Sequence, residues 1–253
     1  MEQPSFLDSL NAFDVIDTFG DLFERGWVIS KDTGKITARS TAIDHNRKWI
    51  YTNPDPNRDC GMMMEIFNRL GFTPSRCREC WKVVVKMQTV KQLLALYEFQ
   101  KEFTKKSKGS ARFCKCGIEQ RAYVHYQYGG YFYCDSLDQG QKRYKEVRDA
   151  VNKIDPTIEV TLKRGCTEME IKNGSTKTDE KPAYAEEIER HIDEAFDYRN
   201  INVEQPPYLI KHILKEWLLF AWDRGDKTAI EFNNGKPFYT QCVTYHEEAG
   251  TNE

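Results

Sequence analysis

Two close cysteine pairs carry the clearest chemistry in this sequence. Cys77 and Cys80 stand in "RCRECWKVVVKM" (76–87), and Cys114 and Cys116 in "RFCKCG" (112–117). A thiolate is a good soft ligand for zinc or iron, and a C-x₂-C pair lets one loop offer two ligands at low entropic cost. A C-x-C pair is poorly placed to close on itself as a disulfide. The competing reading is plain: cysteine is among the most buried residue types and often only fills space. That reading is the default for Cys60 and Cys242, which have no near neighbour in the chain. The two pairs are expected on loops among polar and basic residues (Arg76, Arg78, Glu79, Lys115), which favours ligation there. The same cations can lower a thiol pKa for redox chemistry.

Positioning these thiols falls to a run of regular elements. Trp81, Val83, Val85 and Met87 alternate with Lys82, Val84 and Lys86, the pattern of a half-buried strand (a). Thr89 can cap a helix carrying Val90, Leu93, Leu94, Tyr97 and Phe103. "RAYVHYQY" (121–128) and "YFYCD" (131–135) read as strands b and c, joined by a tight hairpin turn at Gly129-Gly130. Leu137, Tyr144, Val147, Val151 and Ile154 stripe the next helix, which Asp155-Pro156 ends. "TIEVTLKRGCTEMEI" (157–171) reads as strand d, with an irregularity at Gly165. Strand, helix, strand, strand, helix, strand is the split βαβ, ferredoxin-like order of an α+β protein.

Around this centre the periodicity predicts a helix over 6–25, a hairpin over 27–38 with its turn at Asp32-Thr33-Gly34, and a short helix over 62–71. Two amphipathic helical stretches follow "NGSTKTDEKP" (173–182). The expected organisation is an N-terminal helical and hairpin segment (1–75), a ferredoxin-like domain (76–172), a linker (173–182) and a C-terminal helical extension (183–253).

In that topology the starts of a and b share an edge with the ends of c and d. Cys77, Cys80, Cys114, Cys116, Cys134 and Cys166 are therefore expected at one edge of the sheet, as a metal site. Strands stand about 4.8 Å apart, so the four span roughly 14 Å. An ion holding sulfurs at about 2.3 Å must draw them from inward-folding loops. More than four thiols at one edge exceeds what one structural zinc needs, which tilts the reading towards an iron–sulfur cluster. The choice between the cluster and zinc stays open, as does a structural, redox or catalytic role.

Other chemistry is sparser. The βαββαβ order is also that of the RRM, and "YGGYFYC" (128–134) resembles its signature strand, with Tyr131 and Tyr133 or Phe132 alternating. That resemblance implies a sheet face displaying rings for base stacking; a packed sheet surface is the competing reading. A third reading is a metal-free thiol-redox or partner-docking protein. His125 lies mid-strand, and His45 beside Asp44 is the histidine best placed for catalysis. Glu168 and Glu170 are expected on one face of strand d. No Gly-rich phosphate loop, nucleophile elbow or H-E-x-x-H occurs. With 37 basic against 39 acidic residues, no overall field draws the protein to nucleic acid or membrane, though a local basic face is compatible with that balance. "MEQPSFLDSL" lacks the basic-then-apolar pattern of a secretory signal, and "WLLFAW" (217–222) is too short to span a bilayer, so a cytoplasmic protein is expected. Trp217, Phe220 and Trp222 leave apolar surface on more than one side of their helix, for burial against the sheet or for a protein partner.

Overall fold

The computed structural model describes residues 19–24, 27–38, 48–52, 60–105, 113–174, 182–197 and 205–239. Most of the helix expected over 6–25, together with Asp44, His45, Cys242, His246, the stretch 106–112 and linker residues 175–181, lies outside them. The fold is mixed α+β with two sheets. Its strands are β1 (Trp27–Ile29), β2 (Ile36–Ala38), β3 (Trp49–Thr52), β4 (Trp81–Met87), β5 (Cys114–Ile118), β6 (Tyr128–Cys134), β7 (Glu159–Arg164) and β8 (Phe196–Asp197). The described helices are α1 (Asp21–Glu24), α2 (Cys60–Leu70), α3 (Ser75–Arg78), α4 (Val90–Lys105), α5 (Leu137–Ile154), α6 (Thr167–Asn173), α7 (Ala185–Ala195) and α8 (Pro207–Asp223), with a 3-10 turn at Lys227–Asn233.

The larger sheet runs β3-β5-β6-β4-β7, every neighbouring pair antiparallel. Alternation in β4 sends Val83, Val85 and Met87 to one face, where α4, α5 and α8 bury it. Several helix ends have identifiable partners. Thr89 Oγ1 accepts from the Gln92 amide at 3.3 Å at the start of α4, and Asp226 Oδ2 accepts from the Val90 amide at 2.6 Å. Ser136 caps α5 by accepting from the Gln139 amide at 3.2 Å. Proline opens α8, and Gly225 at φ +76° follows its end. Trp217 of α8 is fully buried; its Nε1 donates to the Lys48 carbonyl at 2.8 Å, and its ring stands edge-on to Tyr97.

The smaller sheet pairs β1 with β2 antiparallel and β2 with β8 parallel. Its neighbourhood is a second core, in which Phe19, Met62, Ile66 and Phe67 meet Cys77, Met169, Ile188, Ile192 and Phe196. Residues that precede β4 thus pack with residues that follow β7.

Three local expectations change. Strand b is not 121–128 but Cys114–Ile118, and 119–127 is the connection to β6. Aromatic residues raised the strand propensity of that connection, but pairing against β3 and β6 decided the matter. Gly129 and Gly130 are therefore strand residues, not a hairpin turn. A Cβ on Gly130 would stand 2.1 Å from Leu96 Cδ2, and one on Gly117 would stand 2.2 Å from the Lys48 carbonyl oxygen. These glycines admit close neighbours. Strand d ends at Arg164, because Gly165 takes φ +65° and Cys166 leads into α6. Glu168 and Glu170 are accordingly helical.

Candidate functional site

Among the described residues, the face of the larger sheet opposite α4 and α5 is not covered by a helix layer of the same extent, and its residues are unusual. Period-two alternation places Lys82, Val84 and Lys86 of β4 there, with Lys115 of β5, Tyr131 and Tyr133 of β6, Thr161 and Lys163 of β7, and Trp49 and Tyr51 of β3. Two cavities stand over it. One, of about 550 Å³, is lined by Lys82, Lys115, Tyr133, Cys60 and Cys166 among others; the second, of about 510 Å³, holds Lys86, Lys163 and Tyr126. Lys82, Arg121 and Tyr131 line both, so the two form one groove across the sheet.

Arg121 divides the groove. Its guanidinium donates to both carboxylate oxygens of Glu119 (2.7 and 2.5 Å), to Glu168 Oε1 at 2.9 Å and to the Tyr131 hydroxyl at 2.6 Å. Tyr131 OH donates to Glu119 Oε2 at 3.0 Å and shares a hydrogen bond with Tyr126 OH. Burial would raise the Glu119 carboxyl, but Arg121 outweighs it and the pKa falls below its ordinary value. Glu168 also resists burial, through hydrogen bonds that include Tyr123 and Arg121, and is lowered to about 2. The Arg121 fork is therefore engaged by two protein carboxylates and the Tyr131 hydroxyl.

Lys82 and Lys115 differ. Lys82 is 6% exposed, faces Lys163 directly across the strand pair, and donates to Cys166 Sγ at 3.3 Å. Facing like charges are unfavourable, and only Lys163 has a carboxylate relief, from Glu170. Lys115 stands over the rings of Trp49, Tyr131 and Tyr51 at 4.8, 5.5 and 5.8 Å. Among the described residues no carboxylate pairs with either lysine. Burial draws the Lys115 pKa down. For Lys82 burial acts the same way, but the sulfurs of Cys166 and Cys80 overcome it and the pKa is raised.

The structure divides the six expected ligands between two faces. Cys114, Cys116 and Cys134 are fully buried on the helix side. In a loop a C-x-C pair can turn both sulfurs to an ion; in a strand the same spacing sends both into one core. Thr52 Oγ1 lies 2.8 Å from Cys114 Sγ, yet burial still pushes that thiol up to about 12. Burial raises Cys116 well above the ordinary range. Cys77 is buried in the second core, and Cys80 and Cys166 are half-buried. The Gly165 amide donates to the Cys80 carbonyl at 2.8 Å, setting Cys166 beside Cys80. Cys60, with no partner in the sequence, opens α2 and lines the same cavity as Cys166. The residue is exposed, but the protein mass around its sulfur, with Cys166, pushes its pKa up. Among the described residues, no three Cys, His, Asp or Glu side chains are arranged to hold a metal ion.

Tyr131 and Tyr133 are each 5% exposed. Tyr133 stacks on Phe113 at 4.7 Å and Tyr131 tilts against Trp49 at 5.5 Å, so both rings are engaged in packing. The sequence reading passed over Glu119, Arg121 and the lysines of β4. The signal for the latter was available: lysine at alternate positions of a strand whose other face is wholly apolar. His125 is exposed on the wall of the groove. Among the described residues no helix is long and apolar enough to cross a membrane. No protein-family model, curated protein or solved structure matches this chain.

Proposed function

We propose that the larger sheet with α4 and α5 is a ferredoxin-like sandwich with one added strand, β3, and that its open face binds a phosphate-bearing anion. The strand order supports the first part: leaving β3 aside, β5-β6-β4-β7 is the b, c, a, d order of the split βαβ arrangement. One observation carries the second: Lys82 and Lys115 line one cavity without a carboxylate partner among the described residues. Burial disfavours the half-buried Lys115 ammonium, and its cation–π contacts return about 0.5–2 kcal/mol. A bound anion offsets the remainder. Each chamber has the size of a small-molecule site.

Binding is tested by titrating the protein with inorganic phosphate, a nucleoside triphosphate and a single-stranded oligonucleotide. The three arms separate phosphate held alone, as a nucleotide, or along a polymer. Lys115→Met should weaken the best of the three about 10- to 150-fold, the worth of about 1.5–3 kcal/mol for a hydrogen bond to a charged group. Affinity should fall with added salt. Binding by none of the three at millimolar concentration, or unchanged affinity in Lys115→Met, defeats the reading. The rival assignment is a zinc or iron–sulfur site, for which the structure leaves Cys60, Cys77, Cys80 and Cys166 as the thiols on one side. Stoichiometric metal in protein purified without oxygen, lost on Cys77→Ser, would replace the proposed role of the thiol end of the groove.

A further inference from the structure

We propose that Cys166 is a modification site: a reactive thiol that forms mixed disulfides with anionic low-molecular-weight disulfides entering the groove. The inference rests on the anion-binding reading of the groove for its substrate preference, and on the Lys82–Cys166 geometry for its reactivity. Cys166 is half-buried and lines the larger chamber. Lys82, more than nine-tenths buried, directs its ammonium to the Cys166 sulfur at 3.3 Å. An ammonium so placed holds the anionic group of an incoming disulfide within reach of the attacking sulfur. Lys115 lines the same chamber and gives an incoming carboxylate or phosphate a second partner. The described cysteines on the helix side are fully buried and have no access to the groove.

The step balances without further components. The Cys166 thiolate attacks one sulfur of the incoming disulfide, the old S–S bond breaks, and the new S–S bond joins Cys166 to that half. The other half leaves as a thiolate and takes up the proton that Cys166 released. Cys166 is oxidised and the departing half reduced.

Glutathione disulfide, which is anionic, and 2-hydroxyethyl disulfide, which is neutral, are the probes, with peptide-mapped mass spectrometry of the native full chain as the readout. The first adduct should appear at Cys166, faster with the anionic probe. Cys60, although exposed, should lag, because no ammonium among the described residues donates to its sulfur. Lys82→Met should slow the Cys166 adduct at least about tenfold and Lys82→Arg should restore most of the rate. In the wild-type protein saturating phosphate should slow the anionic probe alone, a readout that needs no variant. Equal rates with both probes at Cys166, indifferent to phosphate, would sink the anion groove while leaving the reactive thiol standing. Modification of Cys60 ahead of Cys166, or an unchanged rate in a folded Lys82→Met protein, would overturn the proposal itself.

Discussion

Removing the guanidinium that divides the groove gives the sharpest quantitative test of its electrostatics. In Arg121→Met the Glu119 side chain, 2% exposed, loses its principal partner. Breaking a buried pair from one side costs about 3–5 kcal/mol. Arg121 is itself 33% exposed, so water screens part of the interaction, and a loss of about 2–3 kcal/mol is expected at neutral pH. The pH dependence fixes the sign. In the native protein Arg121 holds the Glu119 pKa below its ordinary value. That contribution is fully present above the unfolded carboxyl pKa, about 4.3, and is lost as pH falls through the folded one. Without Arg121, burial is opposed chiefly by the Tyr131 hydrogen bond, and the folded pKa rises. The variant's penalty is then greatest at neutral pH and shrinks as acid protonates Glu119. Urea midpoints for both proteins at neutral pH and near pH 5 measure this, and Arg121→Met with Glu119→Gln should recover most of the loss, since it removes the stranded charge. A variant within about 0.5 kcal/mol of the native protein at neutral pH, a scale typical of ordinary surface changes, would refute the reasoning. So would a gap that stays constant or widens on acidification.

Two further outcomes follow from the packing. Gly117→Ala sets a Cβ against the Lys48 carbonyl and the Trp49 backbone, which cannot give way without parting β3 from β5, whereas Gly130→Ala meets only the end of the Leu96 side chain. Gly117→Ala should therefore cost more than the about 1–3 kcal/mol of ordinary overpacking, and Leu96→Ala should relieve Gly130→Ala but not Gly117→Ala in denaturation measurements. Asp226 accepts from the Val90 amide at one helix start and from the Thr228 amide and hydroxyl at another. Asp226→Ala should thus lower stability by about 1–2 kcal/mol, the upper range for a lost cap, and amide hydrogen exchange should show the first turn of α4 loosened.

The sequence by itself determined the elements whose signals are local. The strand at Trp81–Met87, the helices at Val90–Lys105 and Leu137–Ile154, the hairpin around Gly34 and the stop at Gly71 are legible because alternation, caps and glycine at positive φ act within a few residues. It gathered six cysteines at one sheet edge, of which the fold keeps Cys77, Cys80 and Cys166 near one another and turns Cys114, Cys116 and Cys134 into the helix-side core. Tertiary structure decided the rest. Whether "CKCGI" was a loop or a strand rested on partners more than sixty residues upstream in β3 and ten to eighteen residues onward in β6, and that choice sent Cys114 and Cys116 into the core. Cys60 joined Cys166 only because α2 packs beside α6, a contact with no trace in spacing. The lysines of β4 were visible as residues, but their chemistry was not. A lysine in a strand is ordinarily solvated, and only the walls raised by 119–127, α2 and α6 take water from Lys82 and Lys115. Burial of charge is a property of the assembled surface, so the groove could be read only once the chain was folded.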